Sequence, residues 1–211
     1  MKRAAARDQI RDLLLQRILD GYYQPGDRLV ELQIADELST SQAPVREAFR
    51  YLEAMKVLVT EPYKGTRVRS VSDRELRESS QVRAVLEQLA AELAAPKLKG
   101  DVKELENEAR KFMAAAKKKD FAAYSEHDIA FHRLIVEASG NELLQSLWES
   151  VVLEMRFRKT LDKIGEGRLL EFGEAHLPVL DCLKEGDGKA AGKALKGLIC
   201  KFHGLEKDKE K

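Results

Sequence analysis

An aspartate and a histidine, Asp128 and His132, lie four residues apart in the segment SEHDIAFHRLIVEASGN. The segment is half apolar with a helical pattern, so these two side chains share one helix face. His176 and His203 follow on two later predicted helices. If three antiparallel helices converge, one carboxylate and three imidazoles meet, and such donors bind divalent transition metals. Spacing alone leaves the alternative that each histidine is an ordinary packed or surface residue.

The elements that would position these residues form a helical region from residue 72 almost to the charged tail at 206–211. After a first helix that ends near Pro96, the pattern predicts helices over 105–116, 121–138, 142–161, 168–184 and 189–205. Six or seven helices with short connections predict an antiparallel bundle. Pro178 is expected to kink the helix of His176 and displace its imidazole, and three glycines should weaken the last helix, at positions 188, 192 and 197.

The first helix of this region carries an apolar stripe, which consists of Val82, Val85, Leu86, Leu89 and Leu93. Arg83 and Glu87 lie beside the stripe and are four residues apart. Oppositely charged residues at this spacing form ordinary helical salt bridges. That salt bridge is one interpretation of Arg83.

Length and composition predict a folded, mainly helical protein. The chain has 211 residues, is 44% hydrophobic and 35% charged, and permits one large domain or two small ones. It has no signal-peptide pattern and no apolar window long enough to span a membrane, so a cytoplasmic location is expected. Cys182 and Cys200 are expected to be reduced, with Cys200 as a minor alternative metal ligand near His203. The net charge of +1 means that any DNA binding depends on locally placed cations.

The first seventy residues have the pattern of three short helices and a hairpin. A first helix has one apolar face, made by Ile10, Leu13, Leu14 and Ile18, and a second fits 32–38. A third helix follows Ser41, buries Val45, Ala48, Phe49 and Leu52, and carries Gln42, Arg46, Arg50 and Tyr51 on its opposite face. Two strands, 57–61 and 66–70, flank the turn at 62–65. The pattern fits a winged helix-turn-helix, although a purely structural module has the same periodicity.

The run from Ile18 to Val68 resembles the winged helix-turn-helix of GntR-type bacterial transcription regulators. The residues that carry the resemblance are Gly21, Pro25-Gly26, Arg28-Leu29, Ala35, Leu38, Ser41, Pro44-Val-Arg-Glu-Ala48, Leu52, Gly65 and Val68. On this basis the recognition surface is assigned to Ser41, Gln42, Arg46 and Arg50, and the wing contact to Lys64 and Gly65. Gln42 stands where such regulators commonly have arginine, and glutamine pairs with adenine where arginine prefers guanine. Ser39 and Lys56 replace expected glycines, which costs about 1 kcal/mol each if the backbone there has positive φ.

The rest of the chain resembles the FCD type of effector-binding domain, named after the FadR C-terminal domain. The segments that carry this resemblance are Val82-Arg83 with Glu87 and Ala95, 128–141, 174–180 and 186–203. In many such domains one aspartate and three histidines hold a metal, and the matching positions here are Asp128, His132, His176 and His203. The resemblance implies zinc, nickel or manganese, and an effector that is a small organic acid. Arg83, with Arg156 or Arg158, could clamp the acid in bidentate fashion.

Together these features predict a ligand-responsive DNA-binding transcription regulator, a repressor or an activator, and no enzyme. A winged helix-turn-helix domain over 1–70 precedes an all-α effector-binding and dimerisation domain over 71–211. The resemblance implies a homodimer on a palindromic double-stranded operator. Two alternatives remain: a metal sensor without an organic effector, and a metalloenzyme fused to a DNA-binding module. The enzyme would need a general base such as Glu126 or Glu174, and the sequence contains no phosphate-cradling loop and no nucleophile elbow.

Overall fold

A computed structural model describes residues 2–156 and 168–205, with side chains for residues 6–153 and 168–205. Internal contacts divide the chain into two compact units, and each is described by itself. The first comprises residues up to 72 with a short segment that begins at Leu153, and the second comprises the remainder. No helix within the described ranges is both long and apolar enough to cross a membrane.

The first unit is a three-helix module with a small antiparallel sheet. Its elements are α1 (Lys2–Leu19), β1 (Arg28–Leu29), α2 (Glu31–Glu37), α3 (Gln42–Ala54), β2 (Leu58–Glu61) and β3 (Gly65–Val68). The sheet order is β1-β3-β2, and β2 and β3 form the predicted hairpin with Glu61 opposite Gly65. The short strand β1, which periodicity did not predict, pairs Leu29 with Thr66. The predicted winged helix-turn-helix fold is confirmed.

The core of the first unit follows the predicted helix faces with one exception. All four apolar residues of the third helix, Val45, Ala48, Phe49 and Leu52, are buried. Leu13 of α1 is exposed, although it was expected on the buried face. Ser39 and Lys56 have φ of 50° and 56°, so both adopt the left-handed backbone that favours glycine. The expected cost of about 1 kcal/mol therefore applies at each position.

The second unit is an all-α bundle, as predicted. Its helices are α4 (Asp73–Leu98), α5 (Lys103–Lys118), α6 (Phe121–Ser139), α7 (Glu142–Arg156), α8 (Arg168–Glu174), α9 (Leu177–Glu185) and α10 (Gly188–Phe202). Asp120 and Asp187 cap α6 and α10, because each carboxylate accepts a backbone N–H three residues later. The predicted extension of α7 to residue 161 lies outside the described residues.

Helix α4 buries a different face from the one that its large apolar residues mark. Its buried residues are small or charged: Ala84, Ala90, Ala91, Ala94 and Ala95, with Ser80, Arg83 and Glu87. Four members of the apolar stripe, Val82, Val85, Leu89 and Leu93, are between 40% and 58% exposed. The helix ends at Leu98, two residues after Pro96, which agrees with the expected end near Pro96. Pro96 stands in the last turn, where it removes only the bond to the Glu92 carbonyl.

Two glycines of α10 lie directly against α4. A Cβ at Gly188 would be 2.6 Å from the Glu92 carbonyl oxygen, and one at Gly192 would be 2.8 Å from the Gln88 carbonyl oxygen. Nothing lies within 4 Å of a Cβ added at Gly197. The sequence interpretation, in which all three glycines only weaken the helix, is therefore incomplete. Gly188 and Gly192 permit a backbone approach that any side chain would prevent.

Candidate metal centre and nucleic-acid interface

Asp128, His132 and His176 converge in the core of the second unit, and one ligand atom from each lies within 4.8 Å of the others. The Nε2 atoms of the two histidines are 3.3 Å apart. Asp128 Oδ1 is 3.2 Å from Nε2 of His176, and Asp128 Oδ2 is 3.9 Å from Nε2 of His132. The α6 face therefore brings its i, i+4 pair against a histidine from a distant part of the chain.

The other ring nitrogen of each histidine contacts an oxygen that orients the ring. Nδ1 of His176 is 2.8 Å from the Phe172 carbonyl oxygen, and Nδ1 of His132 is 2.5 Å from Glu87 Oε2. Both oxygens accept, so both Nδ1 atoms donate, and both rings turn Nε2 towards the Asp128 carboxylate. Two imidazole nitrogens and a carboxylate then face one point, an arrangement that suits a bound cation.

Glu87 is the buried carboxylate that orients His132. Its Oε1 accepts from Arg83 Nε at 2.5 Å and from Trp148 Nε1 at 2.6 Å, while Oε2 accepts from His132. Burial would raise the pKa of Glu87, but the charge of Arg83 and the hydrogen bonds from His132 and Trp148 hold that pKa below its ordinary value. An outer carboxylate of this kind orients a metal-binding histidine and increases its basicity. Sequence reasoning missed this role, although a glutamate on an alanine-rich buried face was a signal.

The chain breaks its helix at His176 in a way that orients the imidazole. The predicted single helix over 168–184 is two helices, and His176 is the N-cap of α9, with Pro178 in the first turn. The backbone N–H of His176 donates to the Gly173 carbonyl. The Phe172 carbonyl therefore remains available and accepts a hydrogen bond from the imidazole Nδ1 of His176. The expected displacement of the imidazole by Pro178 is therefore wrong. A proline in a first turn starts a new helix without distortion.

His203, at the C-terminal end of α10, lies near these groups but outside the 4.8 Å cluster. Burial, followed by the positive charge of Arg83, lowers the pKa of His203 to about 3, so the side chain is neutral. Its buried Nε2 has no hydrogen-bond partner among the described residues. An unsatisfied buried nitrogen beside three potential ligands is consistent with a fourth metal ligand. The donor set therefore fits a divalent transition metal.

Aromatic rings surround the cluster and include one further polar group that sequence reasoning missed. Phe112 packs against both Tyr124 and His176, with ring centroids 5.7 Å and 4.8 Å away. Tyr124 lies one turn before Asp128 on α6, and its buried hydroxyl has no partner among the described residues. Burial, with a contribution from Asp128, raises the pKa of the Tyr124 phenol. The spacing from Asp128 was the available signal.

Of the three arginines expected to clamp an effector, the structure describes the side chain of one. Arg83 is buried and forms the salt bridge with Glu87 that the sequence left as the alternative. Only the backbone of Arg156, at the end of α7, is described; its side chain and the whole of Arg158 lie outside the described residues. Glu126 and Glu174, considered as catalytic bases, are both exposed.

The recognition residues of the first unit lie on one open face of α3. Ser41, Gln42, Arg46 and Arg50 are all exposed, while the opposite face of the helix is buried. Arg46 forms a salt bridge with Glu31 of α2, with Nη2 2.8 Å from Oε2. At the hairpin turn, Lys64 is exposed and pairs with Glu61 at 2.7 Å, and Gly65 has φ of 78°. Side chains of these types can contact base edges in a major groove and the phosphates beside it.

Comparison with known proteins identifies a family. The FCD domain matches residues 78–199, and the domain described as bacterial regulatory proteins, gntR family, matches residues 6–68. A probable D-xylose utilization operon transcriptional repressor of Paenarthrobacter nicotinovorans is 31% identical, covering 92% of this chain and 86% of that protein. The galactonate operon transcriptional repressor of Escherichia coli K12 is 25% identical, covering 91% and 93%. The solved structure of E. coli McbR/YncC has a TM-score of 0.80 at 26% identity, covering 95% and 96%.

A winged helix-turn-helix and an all-α domain, joined in this order, define a DNA-binding transcription regulator rather than an enzyme. The chain belongs to the gntR family of bacterial regulatory proteins and carries an FCD domain. The family expected from the sequence is confirmed.

Proposed function

We propose that this regulator is a homodimeric transcriptional repressor whose DNA affinity is controlled by a small carboxylate bound at a metal ion in the helical bundle. The observation that carries the proposal is the convergence of Nε2 of His132 and Nε2 of His176 on the Asp128 carboxylate. Repression as the sense of control is taken from the names of the relatives, which are operon repressors.

Asp128, His132, His176 and His203 are the proposed ligands. A carboxylate and neutral imidazoles suit zinc, nickel or manganese. A divalent ion held by four protein ligands supplies open coordination positions that a carboxylate can fill. Glu87 and the Phe172 carbonyl hold the two central imidazoles with Nε2 towards the ion. Tyr124, with its unpartnered hydroxyl, is a candidate contact for the bound acid.

The proposed effector is a small organic acid, and sugar acids are the first to test because one relative is named for the galactonate operon. Arg83 presents one edge of its guanidinium to Glu87, and its other edge is the proposed clamp for an effector carboxylate. Arg156 and Arg158 are proposed as a second clamp on sequence grounds alone.

A second candidate, metal sensing without an organic effector, is favoured by the same salt bridge. The Arg83–Glu87 pair gives Arg83 a partner without any ligand, so in this candidate the site needs only the metal to be complete. Here the metal itself, by joining α6 to α9 and α10, would change DNA affinity.

The DNA contacts are proposed for the exposed face of α3 and the hairpin. Ser41 and Arg50 would hold phosphates, and Gln42 and Arg46 would reach base edges in the major groove, with Gln42 reading adenine. Lys64 and Gly65 would approach the adjacent DNA backbone.

We propose the division of the chain into a DNA-binding domain over 1–70 and an effector-binding and dimerisation domain over 71–211.

A second copy of the chain is the proposed partner for the exposed stripe of α4. Val82 and Leu93 lie at equal distances along the helix from the middle of the stripe, and Leu86 and Leu89 do the same. An antiparallel α4 pair about a two-fold axis would therefore bring Val82 against Leu93 and Leu86 against Leu89, a self-complementary contact. A two-fold dimer matches a palindromic operator.

The thermal unfolding midpoint tests the proposal. The midpoint is measured with acetate, D-gluconate and D-galactonate, before chelation, after chelation and after reloading with zinc, nickel or manganese. A rise for one acid that disappears on chelation and returns with the metal supports the metal-anchored effector, because a ligand of the native state stabilises by mass action. Metal-dependent DNA binding that no acid changes supports the metal sensor. Midpoints that respond to neither metal nor acid overturn both.

A further inference from the structure

Arg46, the proposed base-reading residue of α3, is held in the structure by a carboxylate of the neighbouring helix. Its Nε lies 2.9 Å and 3.2 Å from the two oxygens of Glu31. Its Nη2 lies 2.8 Å from Glu31 Oε2. Glu31 is the first residue of α2, so the contact joins the two helices of the helix-turn-helix.

The geometry of the pair determines which part of Arg46 remains for DNA. A guanidinium has two edges that can each engage a partner in bidentate fashion. Glu31 occupies the edge formed by Nε and Nη2. The edge that contains Nη1 is left for a guanine or a phosphate. The flexible arginine is therefore oriented before it meets a duplex.

The charge of Glu31 has a second consequence. Binding to any DNA sequence depends on cations that neutralise phosphates, and each neutralised phosphate strengthens the salt dependence. Glu31 offsets the charge of Arg46 in the free protein, so Arg46 attracts phosphates less strongly. Arg46 contributes fully to DNA affinity only where a further contact, such as a bidentate bond to a base, compensates for this carboxylate.

We propose that Glu31 is a specificity-determining residue, which orients Arg46 towards base edges and withholds its charge from the phosphates of non-cognate DNA. The inference rests on the proposed DNA-binding surface and adds a residue that the sequence did not single out. Glu31 does not itself contact DNA in this scheme. It acts through Arg46.

The chain offers a matched control on the same helix. Glu37, at the other end of α2, pairs with Arg17 of α1, with 2.5 Å between Arg17 Nη2 and Glu37 Oε1. Glu31→Gln and Glu37→Gln each remove the negative charge of a glutamate that pairs with an arginine. Each leaves an amide of the same shape. Only the first releases an arginine of the recognition helix.

The experiment measures affinity for a random-sequence 30-base-pair duplex by fluorescence anisotropy between 0.05 and 0.2 M KCl. Glu31→Gln is expected to bind about fivefold to tenfold tighter than wild type near 0.1 M salt, with a salt slope steeper by about one. Glu37→Gln is expected to match wild type. On a duplex selected in vitro by the wild-type protein, Glu31→Gln should gain less, so its ratio of specific to random affinity falls.

A double variant separates orientation from simple charge. If Glu31 acts through Arg46, Glu31→Gln has no effect in an Arg46→Ala background. An equal effect in that background overturns the inference, as does identical behaviour of Glu31→Gln and Glu37→Gln. These results leave the proposed function intact provided that wild type binds the selected duplex. A wild-type protein that binds neither duplex overturns the proposed function and this inference together.

Discussion

His132 and His176 face each other in the core of the helical bundle with their Nε2 atoms 3.3 Å apart, although 44 residues separate them in the chain. Nδ1 of His132 donates a hydrogen bond to the Glu87 carboxylate, and Nδ1 of His176 donates one to the Phe172 carbonyl. With both Nδ1 atoms donating to these oxygens, the two Nε2 atoms point towards the Asp128 carboxylate. The arrangement is therefore prepared for a cation that both rings and Asp128 share.

Replacing Glu87 should weaken metal binding without removing a ligand. Glu87→Gln keeps an oxygen for His132 Nδ1 but loses the charge, and loss of such an outer contact lowers metal affinity about 10-fold to 100-fold. Calorimetric titration with zinc measures the change. Glu108→Gln is the matched control, because Glu108 also pairs with an imidazole, that of His127, in the same unit. Equal zinc affinity in the two variants would contradict the orienting role of Glu87.

His203 should affect stability and metal binding in opposite directions. Its Nε2 is buried without a described partner, and such a group costs about 1–3 kcal/mol. His203→Leu is therefore expected to leave the metal-free protein as stable as wild type or more stable, while zinc affinity falls. Denaturant unfolding with and without chelator measures the first quantity, and calorimetry the second. Undiminished zinc affinity would exclude His203 as a ligand.

A charge in the exposed stripe of α4 should prevent dimerisation. Leu89 is 42% exposed in the isolated chain and stands near the middle of the stripe. Leu89→Glu is expected to shift the protein to monomer in sedimentation equilibrium and to weaken its binding to a palindromic duplex. Leu143→Glu on α7, a residue that is 71% exposed in the same unit, is the control and should sediment as wild type. A dimeric Leu89→Glu protein would place the interface elsewhere.

Loss of Arg46 should remove specific DNA binding. Arg46→Ala deletes the base contact, for which a bidentate pair contributes about 1–3 kcal/mol of discrimination. Anisotropy titration of a duplex selected by wild type measures the loss, and circular dichroism should remain unchanged. Arg74→Ala is the control, because Arg74 also pairs with a glutamate, Glu78, but lies on α4. The assignment fails if Arg46→Ala binds as tightly as the control.

Two glycines of α10 should respond to alanine with opposite signs. Gly192→Ala places a Cβ 2.8 Å from the Gln88 carbonyl oxygen of α4, so the helices must separate and the free energy of unfolding should fall. Gly197→Ala meets nothing within 4 Å and should raise it by about 1 kcal/mol through helix propensity. Urea unfolding of both variants measures the difference. Equal effects would show that α10 does not depend on close contact at Gly192.

Residue types and their spacing were sufficient to predict most of the local elements and the candidate ligands. Val45, Ala48, Phe49 and Leu52 predicted the buried face of α3, because large apolar side chains mark a helix face by their period. The i, i+4 spacing of Asp128 and His132 predicted their shared face for the same reason. Resemblance to known regulators supplied the assignment of individual DNA-contacting residues, the roles of the two domains and the organic-acid effector.

The faces of α4 that meet other helices became clear from the packing of the bundle and not from the sequence. Alanine and glycine carry little hydrophobic signal, yet their small size permits α4 and α10 to approach closely, so the larger Val82, Val85, Leu89 and Leu93 stay outside. The role of Glu87 likewise depends on His132 and Trp148, which lie 45 and 61 residues away in the chain. Periodicity describes a helix and its own faces, whereas long-range hydrogen bonds exist only after the helices have packed.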